Sequence, residues 1–163
     1  METILINKTL DLKKNIEEFE EKLKVKLTIS GKKVTISGEP LDEYEAMNIL
    51  EAISSGFSVK KALLLTDVDL IFRKIHIKDF TRRKDLKSVR ARIIGKEGKT
   101  KHTLENIANC EIAIQDNTIS IIGTAESIDN ITTAIKNIVR GTKQANAYNF
   151  LERINTQRKG KAF

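Results

Sequence analysis

The sequence has little of what several common classes of protein require. Its 163 residues include one cysteine, Cys110, so no internal disulfide can form, which suits a reducing compartment. The longest purely apolar run, residues 62–65, is far too short to span a bilayer. Residues 1–10 lack the basic and apolar regions of a secretory signal. We therefore expect a cytoplasmic protein that does not enter a membrane.

Aromatic residues and metal ligands are also scarce. There is no tryptophan, and residues 81–147 hold no aromatic residue at all. This argues against an RRM or an OB fold, which stack bases on aromatic rings. Two histidines and one cysteine cannot build a metal cluster of ordinary ligand spacing. No nucleophile elbow and no Ser-His-Asp pattern is present. We expect a protein that is not an enzyme and that uses no metal or cofactor.

Charge is abundant and unevenly placed. The formal net charge is +7, but residues 1–70 carry 10 lysines, no arginine and 13 acidic residues. Residues 71–163 carry 19 basic and 9 acidic residues, and residues 73–101 alone carry 12 basic and 3 acidic ones. A positive field concentrated in this way attracts a polyanion, because each neutralised phosphate releases counterions. The second half of the chain is therefore predicted to bind nucleic acid.

The chain contains an internal repeat at a constant offset of 85 residues. The segment Val34–Gly38 overlays Ile119–Gly123, and each is followed by an apolar stripe at i, i+3, i+4 and i+7 spacing, typical of one helix face. The stripes are Ala46, Ile49, Leu50 and Ile53 in the first copy, and Ile131, Ala134, Ile135 and Ile138 in the second. A gapless match across turn, strand and helix indicates a duplicated unit.

Each copy reads as a strand, a helical region, a two-stranded hairpin and a helix, which predicts an α+β fold with a three-stranded sheet in each unit. The predicted second-unit elements are a strand at 74–78, helices at 85–94 and 99–108, a hairpin at 111–115 and 118–122, a helix at 127–139 and a short final helix at 145–151. The predicted first-unit elements are a strand at 3–6, one uninterrupted helix at 12–23 and a helix at 41–53. The first unit lacks 12 to 14 residues between its first strand and its hairpin.

A glycine loop in the second unit is the candidate site for binding a phosphate backbone. Gly95 and Gly98, three residues apart between two helices, let a backbone approach a ligand closely, and the second helix presents free N–H groups there. Lysines add charge, and apolar residues beside the loop form a floor for unstacked bases. The predicted RNA-binding residues are Arg90, Arg92, Ile94, Gly95, Lys96, Glu97, Gly98, Lys99, Thr100, Lys101, Ile112 and Ile114.

Two other interpretations of this loop were weighed. Gly98-Lys99-Thr100 has the ending of a nucleotide P-loop, but that motif needs four residues between its glycines and a preceding strand. A plain helix–turn–helix connection can also contain two glycines at this spacing. The flanking isoleucines, the three lysines and the hairpin that follows favour a KH clamp, which holds about four nucleotides of single-stranded RNA.

The run from Arg92 to Lys101, followed by Glu105-Asn106, resembles the signature of the Pno/Dim family of ribosome-biogenesis KH proteins. The segments 118–123 and 148–151 continue the resemblance. It implies two tandem type I KH-like units and binding to the 3′ region of 16S-type ribosomal RNA during its maturation. It also implies protein partners: the endonuclease that trims this RNA and the alpha subunit of initiation factor two. The first unit departs from the family pattern, because it has lost the glycine loop that many members carry in both units, and is therefore expected to be degenerate.

The expected organisation is a degenerate KH-like domain at 1–70, an RNA-binding KH domain at 71–155 and a basic tail at 156–163. Because the first unit is acidic and has no glycine loop, we expect it to dock or scaffold rather than to bind RNA. An adaptor acting in translation through the initiation-factor subunit is the alternative function. A third possible function is that of an RNA-processing enzyme, but the sequence contains no motif that supports it.

Overall fold

Two three-stranded sheets organise the chain, one in each of two units, Met1–Phe72 and Arg73–Phe163. The computed structural model describes the backbone of residues 1–161 and the side chains of residues 1–157. Each unit runs strand, helix, helix, strand, strand, helix, and each sheet has its last strand in the centre. The predicted α+β fold of two tandem three-stranded units is confirmed.

In the first unit, β3 lies between β1 and β2 and pairs antiparallel with both. Val34 of β3 faces Ile4 on one side and Ile29 on the other, so alternate apolar residues meet on one face of the sheet. The helix α3 begins at Pro40, which suits a first turn because its missing N–H has no helical partner there. The elements are β1 (Glu2–Leu5), α1 (Leu10–Lys14), α2 (Ile16–Leu23), β2 (Lys26–Ser30), β3 (Lys33–Ser37), α3 (Pro40–Ser54), α4 (Val59–Ala62) and a 3-10 helix (Leu63–Thr66).

The prediction of one uninterrupted helix at 12–23 is wrong, because the helix breaks at Asn15. The Asn15 side chain donates from Nδ2 to the Asp11 carbonyl oxygen at 2.8 Å and to Asp11 Oδ1 at 3.1 Å. An asparagine that bonds its own neighbouring backbone competes with the helical hydrogen bonds. The apolar stripe of Leu12, Phe19 and Leu23 stays buried across the break, which is why periodicity alone did not reveal it.

In the second unit, β6 lies between β4 and β5, and Ile112 and Ile114 of β5 face Ile121 and Ile119 of β6. Helix α7 packs its apolar face into the core. This face contains the four residues of the predicted stripe, Ile131, Ala134, Ile135 and Ile138. The elements are β4 (Ile71–His76), a 3-10 helix (Ile77–Asp79), α5 (Leu86–Ile94), a 3-10 turn (Lys96–Gly98), α6 (Lys99–Ala108), β5 (Glu111–Gln115), β6 (Thr118–Gly123), α7 (Ala125–Val139) and α8 (Gln144–Lys161).

The final helix is much longer than predicted. The sequence indicated 145–151, whereas α8 extends to Lys161. Its first half buries Ala147 and Leu151, and Asn155 further along donates from Nδ2 to the Ile107 carbonyl oxygen at the end of α6, at 2.7 Å. The expected basic tail at 156–163 is therefore helical as far as Lys161, while its side chains from Arg158 onwards lie outside the described residues. Across 1–161, no helix combines the length and apolarity needed to cross a membrane.

The duplication is visible in the backbone and not only in the residue types. The left-handed positions recur at the 85-residue offset: Lys24 (φ 57°) and Asn109 (φ 53°), Gly31 (φ 60°) and Asp116 (φ 53°), Gly56 (φ 114°) and Gly141 (φ 110°). The units differ before their hairpins. Residues 6–25 join β1 to β2 and residues 77–110 join β4 to β5, so the connections of 20 and 34 residues differ by 14. This lies at the upper end of the predicted difference.

One side-chain to backbone contact, part-buried in the first unit and buried in the second, is duplicated as well. Glu20 Oε2 accepts a hydrogen bond from the Leu27 backbone N–H at 2.9 Å. At the same offset, Glu105 Oε2 accepts one from the Ile112 backbone N–H at 3.0 Å. In each unit, a carboxylate on the second helix therefore ties that helix to the strand that follows it.

The hydroxyl of Ser120 on β6 generates a stability prediction. It is fully buried and has no hydrogen-bond partner among residues 1–157. Since an unpaired buried polar group costs free energy, we expect Ser120→Ala to raise the free energy of unfolding by about 1 kcal/mol. Urea unfolding followed by circular dichroism measures this.

The control for Ser120 is Thr124, whose hydroxyl does have a partner. Thr124 Oγ1 accepts from the Ser127 backbone N–H at 3.2 Å and so caps α7. We expect Thr124→Ala to lower the free energy of unfolding by about 1 kcal/mol. A loss of stability in Ser120→Ala as large as that in Thr124→Ala would contradict the prediction.

Candidate nucleic-acid interface

The glycine loop is a tight turn between α5 and α6 built on left-handed backbone. Gly95 has φ 77° and ψ 173°, Glu97 has φ 54° and ψ 27°, and Gly98 has φ 76° and ψ 12°. The Gly95 N–H donates to the Ala91 carbonyl at 2.8 Å and closes the end of α5, and the Gly98 N–H donates to the Gly95 carbonyl at 3.2 Å. These two bonds fix the turn from inside, so it presents one defined shape to a ligand.

The two glycines are required for different reasons. A Cβ on Gly95 would overlap Thr100 Oγ1 and would lie 2.7 Å from the Thr100 backbone nitrogen, so no side chain fits there. A Cβ on Gly98 would meet nothing closer than His102 Cδ2 at 3.8 Å. Gly98 is needed only for its positive φ, which other residues adopt at a modest cost. Thr100 itself is buried, so it supports Gly95 rather than facing solvent.

The charges at the loop are positive and accessible. Lys96 and Lys99 are exposed, and neither makes an ion pair among residues 1–157. Gly98 is the N-cap of α6 and provides no side-chain acceptor, so the free N–H groups of the first turn point toward the same region. Glu97, between them, is exposed as well. A phosphate placed here would meet a helix N-terminus and two unpaired ammonium groups.

Lys101 is engaged elsewhere. Its Nζ lies 3.2 Å from Glu105 Oε1, and its side chain is 23% exposed. Glu105 is 7% exposed and uses its other oxygen for the Ile112 backbone N–H. His102, with Nδ1 at 3.5 Å from Glu105 Oε1, is largely exposed and joins this cluster when protonated. Lys101 therefore compensates a buried carboxylate one turn inside α6.

The two predicted arginines are tied to the body of the second unit. Arg92 donates from Nη1 to the Ile138 carbonyl at 2.9 Å and from Nη2 to the Thr142 carbonyl at 2.8 Å. It thus satisfies carbonyl groups at the C-terminal end of α7, where a positive charge is also favoured by the helix dipole. Arg90 donates from Nη1 to the Asp116 carbonyl in the hairpin turn at 2.8 Å. The geometry gives Arg92 a structural function that its position in the sequence did not suggest.

The predicted apolar floor is only partly accessible. Ile94 at the end of α5 and Ile114 on β5 are half-buried, so each has surface that can meet a base. Ile112 is 2% exposed and belongs to the core of the second unit. The prediction that Ile112 contributes to an accessible floor therefore fails, because its side chain faces the helices together with its strand partner Ile121.

Cys110 is a buried free thiol. Burial, together with the nearby carboxylates of Glu105 and Glu111, raises the pKa of the Cys110 thiol to about 12, so it remains a neutral thiol at physiological pH. Among residues 1–157, no group of three His, Cys, Asp or Glu side chains is arranged to hold a metal ion.

Sequence reasoning missed Glu105 and the capping function of Arg92. The repeat carried a signal for Glu105, because Glu20 stands at the same offset and makes the same contact. No local signal identified Arg92, since its partners lie 46 and 50 residues away along the chain. Only the packing of α5 against α7 brings them together.

Comparison with known proteins identifies the family that this chain resembles. The family model for the second KH domain of PNO1, described as a eukaryotic type KH-domain (KH-domain type I), matches residues 71–156. The KH domain-containing protein MJ0443 of Methanocaldococcus jannaschii is 33% identical over 157 residues, which cover 92% of this chain and 68% of that protein. The pre-rRNA-processing protein PNO1 of Chaetomium thermophilum is 29% identical over 157 residues. That match covers 85% of this chain and 57% of the fungal protein, so the chain spans little more than half of its length.

A solved structure agrees over nearly the whole chain. It is the crystal structure of the a/eIF2alpha–aDim2p–rRNA complex from Pyrococcus horikoshii OT3. The matched chain has a TM-score of 0.83 and 28% sequence identity, with 96% of this chain and 94% of that chain covered. The agreement supports the type I KH arrangement in both units.

The unequal surroundings of the two loop glycines generate a prediction. We expect Gly95→Ala to lower the free energy of unfolding by about 3 kcal/mol, because strain in a glycine-only region adds to overlap with Thr100. We expect Gly98→Ala to lower it by about 1 kcal/mol, from the positive φ alone. Urea unfolding of both variants measures the difference, and equal losses would show that Gly95 has room the structure does not show.

The contacts of Arg92 generate a second prediction. Arg92→Gln removes two charge-assisted hydrogen bonds from the end of α7, and we expect it to lower the free energy of unfolding by about 2 kcal/mol. The folded fraction should still bind RNA with native affinity. Arg82→Gln, at an exposed position, is the control and should leave stability unchanged. Weaker RNA binding by Arg92→Gln without any loss of stability would instead indicate a direct phosphate contact.

Proposed function

The chain belongs to the PNO1/Dim2 family of KH-domain proteins, as its motifs predicted, and on this premise we propose that it binds single-stranded RNA. We further propose that it acts as an assembly factor in the maturation of the 3′ end of small-subunit ribosomal RNA. The fungal relative is named a pre-rRNA-processing protein, and the Pyrococcus relative was solved together with rRNA. Both support this function.

The observation that carries the proposal is the glycine loop. Its three residues with positive φ form a tight turn at the start of α6, and Lys96 and Lys99 in this turn are exposed. KH loops of this kind clamp the phosphate backbone of about four nucleotides and leave the bases to neighbouring side chains. We propose Lys96, Lys99 and the N–H groups of the loop as phosphate contacts, and Ile94 with Ile114 as the surface for bases.

The two units are proposed to divide the work. We assign RNA binding to residues 71–155 and a docking or scaffolding function to residues 1–70. The division rests on the single-residue break at Asn15, which stands where the second unit has its loop. It also rests on the excess of acidic residues in the first 70 positions, which repel phosphate.

We propose a binding protein rather than an enzyme, working in the cytoplasm beside the endonuclease that trims the RNA. The chemistry of the loop is that of a clamp, because glycines, lysines and helical N–H groups hold phosphate without supplying a nucleophile or a base. Cleavage would then belong to the partner.

A second function is favoured by one specific observation. The Pyrococcus relative was solved with the alpha subunit of initiation factor two as well as with rRNA. The chain is accordingly a candidate adaptor in translation that acts through this subunit. Stoichiometric binding of the subunit without any preference for RNA sequence would favour the adaptor.

Fluorescence anisotropy of short single-stranded RNAs, including a ribosomal 3′-end sequence, tests the RNA clamp. We expect tight binding to the full chain that weakens from low to high salt, because phosphate contacts release counterions. The double change Lys96→Asp plus Glu97→Asp should weaken binding by about a hundredfold or more, since it replaces the ammonium group of Lys96 by a second carboxylate beside the one at position 97.

A matched control lies at the helix break of the first unit. Lys14→Asp plus Glu17→Asp changes the charge by the same amount at exposed positions beside Asn15, and it should leave RNA affinity unchanged. If the loop variant binds like the native chain, the RNA site lies elsewhere and the adaptor becomes the better explanation. If both variants weaken binding equally, only the overall charge matters.

A further inference from the structure

Away from the glycine loop, the first unit carries apolar side chains on its surface. Leu41 and Tyr44 on α3 are 69% and 75% exposed, and Val68, in the turn after the 3-10 helix at 63–66, is 94% exposed. Tyr44 and Val68 line a groove of about 470 Å³ whose floor includes Leu23 and Ile49. Exposed apolar groups that gather at a concave site indicate an interaction surface rather than scattered surface residues.

The internal repeat provides a comparison for these positions. At the 85-residue offset, Leu41 and Tyr44 correspond to Glu126 and Asp129 on α7. Helix α7 keeps its apolar residues on the face toward the core, as a surface helix usually does. Because the same fold tolerates acidic residues at both sites, folding does not require Leu41 and Tyr44 to be apolar.

The second unit shows what occupies the corresponding space. Ala62 and Ala147 are counterparts and both are buried, so the chain returns to the core at equivalent positions after α3 and after α7. Helix α8 then continues along the surface, and Asn155 donates to the Ile107 carbonyl. The counterpart of Ile107 is Lys22, which lines the groove of the first unit.

The first unit has no helix in that place. Its chain ends the 3-10 helix at Thr66 and turns, with the Leu70 N–H donating to the Asp67 carbonyl at 3.1 Å, before β4 begins. The space that the second half of α8 covers in the second unit is therefore open in the first. The groove therefore lies where the second unit has the second half of α8, and its lining is suited to bind a helix.

Charge indicates the character of the missing helix. Three acidic residues, Asp42, Glu45 and Asp67, line the groove, and across 1–157 no ion pair engages Asp42 or Glu45. Of the two lysines at the groove, Lys22 is paired with Glu18 at 3.1 Å. A helix with lysine or arginine beside its apolar face complements such a lining.

We propose that the groove of the first unit binds an amphipathic, basic-flanked helix of a protein partner. The apolar face of the helix packs on Tyr44 and Val68 in the groove and extends to Leu41, which lies outside the groove three residues before Tyr44 on α3. Its basic side chains meet Asp42, Glu45 and Asp67. This is helix-in-groove recognition, and it takes the place that α8 holds in the second unit. The site does not depend on RNA binding by the glycine loop.

The test uses the full chain and two labelled peptides of about four helical turns each. Both carry leucines at i, i+3, i+4 and i+7, and the other positions are mostly lysine in one peptide and mostly glutamate in the other. Fluorescence anisotropy should show micromolar binding of the lysine peptide and binding of the glutamate peptide that is about tenfold weaker or worse. Amide chemical shifts should move at 42–49 and 65–70.

Two double variants give the decisive comparison. Leu41→Lys plus Tyr44→Lys should weaken binding of the lysine peptide by about tenfold or more, since it replaces the apolar anchor Tyr44 and the exposed leucine three residues before it. Leu5→Lys plus Leu10→Lys changes two leucines of similar exposure, 69% and 65%, and should weaken it far less. RNA affinity should be the same in both variants and in the native chain.

Four results would overturn the proposal. The first is binding of neither peptide, and the second is an equal loss in both double variants, which would indicate general charge attraction. The third is a dimer in analytical ultracentrifugation that Leu41→Lys plus Tyr44→Lys dissociates, which would make a second copy the occupant. The fourth is a fall in RNA affinity in that variant, which would make the groove a nucleic-acid surface. None of these results depends on RNA binding by the glycine loop, so the groove proposal can be tested even if the glycine-loop experiment fails.

Discussion

The buried carboxylate of Glu105 is the contact on which the proposed RNA site depends. A charge that is almost fully withdrawn from water is stable only when both oxygens have partners. One accepts from the backbone at the start of β5, and the other is paired with Lys101. This contact fixes α6 against the sheet, and α6 carries the second half of the glycine loop at its N-terminus. Lys101 is thus engaged in a structural ion pair. Lys96 and Lys99 are the exposed lysines that remain to face a ligand.

The two units show how one fold takes on two kinds of surface. Both keep the carboxylate contact, the left-handed helix ends and the paired strands at the same spacing. The second unit has a loop and a long terminal helix where the first has a single asparagine and a short turn. Shared backbone contacts maintain the core, so the peripheral connections are free to differ. The loop gives one unit its proposed phosphate site, and the other unit, without such a helix, has an apolar groove.

Much of this was predictable from the sequence, and the failures have physical causes. Strand and helix periodicity, the repeat and the glycine spacing located most elements, since these are local patterns. The break at Asn15 was missed because buried residues continue in phase across it. Ile112 was misjudged because alternation along a strand gives the face of each residue but not its depth: Ile112 is buried, whereas Ile114 on the same face is half-buried. The function of Arg92 arises from carbonyls about 50 residues away along the chain, and the length of α8 arises from its packing on α6 and α7.

The anchoring of α6 has a consequence for the thermodynamics of RNA binding. The helix is held at its start by the packing of Thr100 against Gly95, in its middle by Glu105 and at its end by Asn155. A loop tethered in this way has few conformations left to lose when a phosphate arrives. A flexible loop would lose conformational entropy when it binds RNA, whereas this loop has already lost that entropy on folding. Affinity at this site is then set chiefly by desolvation and charge, and the clamp is preorganised in the free protein.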